Sequence, residues 1–208
     1  VTVGLGSLMG VRAVLAKDVS GIELLKRYVK EVERAEGGFE QVMYDKSGKK
    51  VDGPLRGMFA FQRPGRFVWE VKTPYPQKIV SDSKTIYIWD PDLNQVTVKG
   101  LTSAVSSTPA SILFEKGDVE KTFSLEELPA EEGCRWVRAR PKTEDLTYAF
   151  IDLGFDARGY ATDMKLHDHF GQTTVIKLSG IVINGILPDR HFEFVIPQGA
   201  DVLRDNNE

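Results

Sequence analysis

The stretch GMFAFQRPGRFVWEVKTPYPQKIVSD, residues 57 to 82, decides how the rest of the chain is read. It has the pattern of a β-hairpin followed by the start of a third strand. Successive side chains of a strand point to opposite faces. Phe59 and Phe61 therefore share one face of the first strand, which ends at Arg63. Pro64-Gly65 makes the turn, because proline presets φ and glycine tolerates positive φ. The return strand puts Phe67, Trp69 and Val71 on one face, and Arg66, Val68, Glu70 and Lys72 on the other. A wide aromatic face thus lies beside one arginine at the turn. Aliphatic residues of matched size would suit a core strand, whereas this face suits a broad, loosely shaped apolar surface.

Upstream of the hairpin, residues 20 to 36 have the pattern of a helix. Ser20 and Glu23 form a capping box, in which each side chain satisfies a free backbone N–H of the first turn. Ile22, Leu25, Val29 and Val32 follow at helical spacing, with Lys26, Arg27, Lys30, Glu31 and Arg34 opposite. Gly37-Gly38 is the expected stop. Residues 1 to 16 are an apolar run ending in Val14-Leu15-Ala16, similar to a small-residue export cleavage site, and are expected to be a signal-peptide remnant. Residues 17 to 208 are then expected to form a single domain.

From Phe39 to Lys99 the pattern has period two. Breaks are expected at Ser47-Gly48, Gly53-Pro54, Asp82-Ser83-Lys84 and Asp90-Pro91-Asp92. Short strands at regular spacing with small turns predict an antiparallel meander. Residues 101 to 117 interrupt it. Thr108 is a cap, Pro109 fits the first helical position, and Ile112, Leu113 and Phe114 form the apolar side of a short helix that must lean on something. Strands are expected again over Val119–Leu125, Cys134–Ala139, Leu146–Leu153, Tyr160–His167, Thr173–Leu178 and His191–Ile196, with breaks at Gly154, Gly159, Gly171 and Pro188-Asp189. The fold class is mostly β, with about eleven strands. Such a sheet must curl or close to bury one face and manage its edges.

The chain has 208 residues and a net charge of −3, which argues against nucleic acid or an anionic membrane as the main partner. Its single cysteine, Cys134, allows no internal disulfide and no cysteine-based zinc site. No nucleophile elbow, P-loop or dinucleotide-binding glycine pattern occurs. The carboxylate pairs Glu126-Glu127 and Glu131-Glu132 read as solvated turn residues. His167 and His169 share a strand face with Asp163, the one arrangement that resembles a metal site. Three such residues on an exposed strand face are more often simply solvated. No catalytic residue, cofactor or metal is assigned.

The sequence resembles the LolA family of periplasmic lipoprotein carriers. The resemblance rests on GFEQ at 38 to 41, RPGRFVWE at 63 to 70, VSD at 80 to 82, WDPDLNQVTV at 89 to 98, TPASIL at 108 to 113, DHFGQTT at 168 to 174 and FEFVIPQGADV at 192 to 202, in that order. It implies an incomplete, half-open antiparallel β-barrel covered by an α-helical lid. It also implies a cavity for lipoprotein acyl chains, lined here by Phe59, Phe61, Phe67, Trp69, Val71, Ile112 and Leu113. Arg63 matches the family arginine that contacts the lid and sets its closure, and Phe67 a family phenylalanine at the mouth. The implied partners are acylated lipoproteins, an inner-membrane lipoprotein-releasing ABC transporter and an outer-membrane lipoprotein receptor; the implied protein is a periplasmic monomer and not an enzyme. Other readings are the outer-membrane receptor or a lipid-binding sensor of the same fold, and a metal-dependent hydrolase. The receptor needs a cysteine straight after its signal peptide, where Lys17 stands, and the sensor carries a second domain.

Overall fold

The computed structural model describes residues 19–100, 111–114, 117–143 and 148–204. The apolar run 1–16, the Thr108-Pro109 helix start and residues 146 and 147 of the strand expected from Leu146 lie outside them. The strands are β1 (Arg34–Tyr44), β2 (Lys50–Gln62), β3 (Arg66–Thr73), β4 (Gln77–Asp82), β5 (Thr85–Asp90), β6 (Gln95–Gly100), β7 (Phe123–Glu131), β8 (Cys134–Pro141), β9 (Phe150–Phe155), β10 (Ala161–His167), β11 (Thr173–Ile183) and β12 (Asp201–Arg204). They form one 12-stranded sheet in the order β12-β6-β5-β4-β3-β2-β1-β11-β10-β9-β8-β7. Neighbours are antiparallel except β12 and β6, which run parallel. The sheet does not close: β7 and β12 are its edges.

Among the described residues three α-helical pieces complete the frame: α1 (Gly21–Glu31), α2 (Ser111–Phe114) and α3 (Val119–Thr122). α1 packs on β7, β8 and β9. α2 and α3 lie in the chain between β6, which is next to the β12 edge, and β7, the opposite edge. One apolar cluster joins Leu25 of α1 and Ile112 and Leu113 of α2 to Phe67 of β3, Ile86 of β5, Val137 of β8, Leu153 of β9 and Ile176 of β11. Strands far apart in the order meet there, so the sheet is curled with its apolar face inward. The hairpin has the predicted faces, with Phe59 opposite Trp69 and Phe61 opposite Phe67.

Several boundaries differ from the sequence pattern. The helix ends at Glu31 rather than at residue 36, and Gly37-Gly38 lies inside β1. The glycines serve close approach there: a Cβ at Gly37 would stand 2.8 Å from the Ser179 carbonyl oxygen and 2.9 Å from the Phe59 ring. Gly53-Pro54 lies inside β2, where a register shift in the β1–β2 pairing absorbs it. Gly154 sits inside β9 under the Trp136 ring, which a Cβ would approach to 2.9 Å. Val119–Thr122 is a helical turn, because the Asp118 side chain accepts the Glu120 N–H and caps it. Glu126 and Glu127 are strand residues of β7, not turn residues.

His191–Ile196 is not a strand. A 3-10 turn at Asp189–Phe192 and extended chain beyond it lie across the outer face of the sheet. Phe192 and Leu187 pack there on Ala60, Val68 and Val80, and Phe194 stacks on Tyr87. Any extended segment with one buried face shows period two. The alternation marked burial onto a sheet face, not pairing at an edge.

Gly57 is the tightest point of the hairpin: a Cβ would lie 1.9 Å from the Glu70 carbonyl oxygen and 2.8 Å from the Phe39 ring. Gly57→Ala should lower stability by about 3 kcal/mol, read as a lower urea midpoint at unchanged m, because backbone cannot yield as a side-chain tip can.

Candidate functional site

The hairpin builds the floor of the site. Phe59, Phe61, Phe67, Trp69 and Val71 are all buried, and all belong to the cluster that holds Ile112 and Leu113 of α2. The seven residues singled out in the sequence therefore meet in one place. Phe39 of β1 joins them, stacked on Trp69 with ring centroids 3.9 Å apart and planes 19° apart. Phe39 pairs across from Gly57, whose missing side chain leaves room for its ring. That pairing identifies Phe39 as part of the floor; the single-strand pattern did not. From above, α1 contributes Leu25, Tyr28 and Val29, also buried.

Arg63 stands where the floor meets the helices. It is 7% exposed, rare for a charged residue. Its Nη1 donates to the carbonyl oxygens of Tyr28 (3.2 Å), Val29 (3.0 Å) and Val32 at the C-terminal end of α1. Its Nη2 donates to the carbonyl of Leu113 in α2. The last carbonyls of a helix lack intrahelical donors and carry partial negative charge, so a guanidinium fits them. The cation also lies over the rings of Tyr28 and Phe61, at 5.4 and 5.1 Å. Burial pulls the Arg63 pKa below its usual value, with Tyr28 opposing; burial in turn pushes the Tyr28 hydroxyl up, with Arg63 opposing. Nε of Arg63 has no hydrogen-bond partner among the described residues. One cation thus ties both helices to the hairpin through main-chain acceptors.

Among the described residues the covered face is lined by packed apolar side chains. A cleft of about 250 Å³ remains between Val29, Ile112, Val119 and Phe123. It shares Val29, Gly117, Asp118 and Val119 with an outer recess of about 430 Å³ that reaches Lys26, Lys30 and Glu120. Pockets for drug-sized ligands run from about 300 to 1,000 Å³. The outer recess falls within that range and the inner cleft just below it.

Two further residues fasten α1. The carboxylate of Glu127 accepts the N–H groups of Gly21 (2.6 Å) and Ile22 (3.0 Å). Asn184 binds the other end, its Oδ1 accepting from Glu33 (2.9 Å) and its Nδ2 donating to the Glu31 carbonyl oxygen (3.1 Å). Neither stood out in the sequence. Glu127 read as half of a solvated pair, and Asn184 sits in an Asn-Gly dipeptide like any turn.

His167 does not build a metal centre with His169 and Asp163; among the described residues no group of three or more possible ligands converges. Its ring stacks on Phe150 at 4.3 Å, its Nδ1 lies 3.1 Å from the Thr173 hydroxyl, and its Nε2 is 3.4 Å from Asp152. Asp152 accepts two hydrogen bonds from Arg138, at 2.6 and 2.8 Å. Burial pushes the Asp152 carboxyl up, but the two hydrogen bonds from Arg138 and its charge, with the His167 ring close by, outweigh it. Its pKa lies below the ordinary carboxylate value. This cluster pins β8, β9 and β10 together on the outer face.

A family model described as outer membrane lipoprotein carrier protein LolA matches residues 30–195. An outer-membrane lipoprotein carrier protein of Bordetella avium is 38% identical over 198 residues, 95% of this chain and 94% of that one. Its counterpart from Nitrosospira multiformis is 39% identical over 186 residues, 89% of each. Among solved structures, an uncharacterized conserved protein from Thermus thermophilus superposes with a TM-score of 0.55 at 12% identity, covering 88% of this chain and 96% of its own. A LolA superfamily protein from Nitrosomonas europaea gives 0.50 at 11% identity, covering 85% and 98%. At such identities the structures speak for the fold alone.

The Asp152 cluster sets an acid limit on stability. A carboxyl whose folded pKa is depressed stabilises the fold above its unfolded pKa, about 3.9, and loses that contribution as pH falls through the folded value. Asp152→Asn should therefore be less stable than wild type by about 1–3 kcal/mol at pH 7. In urea titrations the gap should close below about pH 4.

Proposed function

We propose, from the premise that this chain belongs to the LolA family of outer membrane lipoprotein carrier proteins, that it is a periplasmic carrier that shields the acyl chains of lipoproteins beneath its helices. It receives them from an inner-membrane ABC transporter and yields them to a receptor at the outer membrane. The reading is of a carrier and not of a catalyst.

The physics makes such a protein necessary. Each buried methylene is worth about 0.8 kcal/mol, so lipoprotein chains do not leave a bilayer at a useful rate by themselves. The carrier must offer apolar surface once the chains are extracted, and must hide that surface when empty. It must also let go. Closure of the helices over the empty floor competes with cargo and lowers its apparent affinity.

The observation that carries this reading is the set of acceptors of Arg63. A buried arginine paired with a carboxylate would lock the helices in place. Bonded instead to carbonyls of both α1 and α2, it holds them by contacts that can be made and broken without leaving a second charge unpaired. Arg63 is the lid-closing residue in this reading. Phe59, Phe61, Phe67, Trp69, Val71, Ile112 and Leu113 form the surface exposed to the chains, with Phe67, next to the turn, at its mouth.

The test is binding of a tri-acylated lipopeptide followed by tryptophan fluorescence. Trp69 lies in the floor, whereas Trp89 contacts Phe194 outside it and Trp136 lies under Lys165 on the outer face. Wild type should bind saturably, and Phe67→Glu, checked for folding by circular dichroism, at least tenfold more weakly. Arg63→Leu weakens the closed state by about 1–3 kcal/mol, as expected for lost charged hydrogen bonds. It should retain the lipopeptide roughly tenfold longer when chased with excess acceptor vesicles. A folded wild type that does not bind, or an Arg63→Leu that releases like wild type, would refute the carrier reading and the lid role respectively.

A further inference from the structure

Four hairpin turns stand side by side at one end of the sheet. They join β5 to β6, β3 to β4, β1 to β2 and β10 to β11, which are consecutive pairs in the strand order. Across neighbouring hairpins Lys78 lies opposite Trp89, Arg56 opposite Thr73 and Tyr44 opposite Thr173, which puts all four turns at the same end. The Arg63 turn, closed by Gln62 opposite Arg66, lies at the other end. Each of the four hairpins carries a large apolar side chain in the open, at or beside its tip: Leu93 (68% exposed), Tyr75 (67%), Val51 (51%) and Phe170 (84%). A single exposed apolar residue is ordinary on any protein surface. One on each of four adjacent hairpins is not.

The turns hold these side chains outward. Asp168 Oδ1 accepts the N–H groups of Phe170 and Gln172, both at 2.8 Å, and Asp90 Oδ1 accepts that of Leu93 at 3.1 Å. Asn94, next to Leu93, donates through Nδ2 to the Gly199 carbonyl oxygen at 2.9 Å. Tyr75 stands between Pro74 and Pro76, whose rings fix φ on either side of it. The rim is therefore a row of stiff tips. Its charge is uneven. Residues 45–52 and 72–78, in the two central hairpins, hold five lysines against Asp45 and Asp52. Lys72 pairs with Glu70 at 3.2 Å, whereas Lys46, Lys49 and Lys50 have no ion-pair partner among the described residues. The flanking turns carry Asp90, Asp92 and Asp168. The chain as a whole has a charge of −3, so the middle of this rim is a local reversal of sign.

We propose that this rim docks on the surface of a lipid bilayer that contains anionic headgroups. Tyr75, Leu93 and Phe170 enter the interface, and Lys46, Lys49 and Lys50 lie among the phosphates. A tyrosine ring and a lysine stem both suit that zone, with an apolar body and a polar end. Apolar contact and lysine–phosphate attraction add together there. A protein partner fits less well. A stable interface of ordinary size covers about 800 Å² on each side as one continuous patch. These tips are separated by polar turn atoms, whereas a fluid surface receives each of them independently. The overall negative charge keeps the contact weak and reversible. The Arg63 end faces away from the bilayer in this pose, so the protein is held at the surface with the aromatic floor and its helices left free. The inference goes beyond the carrier reading and does not depend on it.

Flotation of the full chain with vesicles of equal parts phosphatidylethanolamine and phosphatidylglycerol tests this. Wild type should float with the vesicles at low salt, and less of it as salt rises. The combined variant Tyr75→Ser, Leu93→Ser, Phe170→Ser should bind weaker by about tenfold or more. Lys46→Gln, Lys49→Gln and Lys50→Gln should each weaken binding about fivefold at low salt and flatten the salt dependence. The control is Ile186→Ser with Val195→Ser. These two residues are 93% and 86% exposed but lie between β11 and β12, away from the rim, and their loss should leave binding as in wild type. Every substituted side chain is exposed, so all variants should keep the wild-type urea midpoint. If wild type stays off the vesicles, if the rim variants float like wild type, or if the control loses as much binding as they do, the inference is overturned. A dimer that the combined variant dissolves, with no vesicle binding, would also overturn it and assign the rim to a second copy of the chain. Lipopeptide binding is measured separately, so the carrier reading stands or falls by itself.

Discussion

Arg63 carries a positive charge that the fold has taken out of water and paired with main-chain carbonyls of two different helices. A buried charge is tolerated only when its hydrogen-bonding capacity is largely met. While these bonds are made, the helix ends are held where they are, and the rings of Tyr28 and Phe61 lie beneath the cation. The backbone N–H of Arg63 also donates to the Glu33 carbonyl oxygen at 2.8 Å, joining the hairpin to the segment between α1 and β1. Neighbouring contacts add to this, Ser81 on the inner face opposite Phe67 and Arg66 on the outer face. The Ser81 hydroxyl donates to the Gly65 carbonyl oxygen at 2.6 Å, and Arg66 pairs with Asp189 at 2.8 Å. The turn between β2 and β3 is thus fixed from inside and outside the curled sheet.

The interior is apolar and aromatic, and it would be a liability if uncovered. Aromatic rings stack with broad geometric tolerance, whereas close-packed aliphatic cores interlock. A floor of Phe39, Phe59, Phe61, Phe67 and Trp69 is therefore suited to being covered by different things at different times. The helices cover it in this structure. α1 does so as a braced beam, held at its N-terminal end by Glu127 and at its C-terminal end by Asn184 and Arg63. α2 does so with Ile112 and Leu113, and accepts the Arg63 bond at the Leu113 carbonyl oxygen. The same cation thus grips both elements.

The outer face is built on different terms. The strands β8 to β10 are cross-braced by Arg138, Asp152, His167 and Phe150, and Lys165 covers the Trp136 ring at 4.4 Å. On β3 and β4 an apolar patch of Val68 and Val80 is capped by Leu187, Phe192 and Phe194. Those braces hold the sheet curled and leave the inner face free for another use. Of the histidines that resembled metal ligands in the sequence, His167 belongs to this bracing, stacked and bonded across three strands.

Much of this was legible in the amino-acid sequence. The faces of the β2–β3 hairpin, the aromatic floor, the capping box of α1 and the run of short strands follow from local periodicity and turn chemistry, because those depend on neighbours in the chain. The errors came where the same local signal serves two outcomes. Phe192 and Phe194 alternate because their segment lies on a sheet face, and Gly37-Gly38 and Gly154 sit inside strands because rings or backbone press on them. Only the tertiary structure decided what Arg63, Glu127 and Asn184 hold. Their partners are main-chain groups far away in the sequence. A backbone carbonyl or N–H is the same on every residue, so no pattern of side chains announces which one will be gripped.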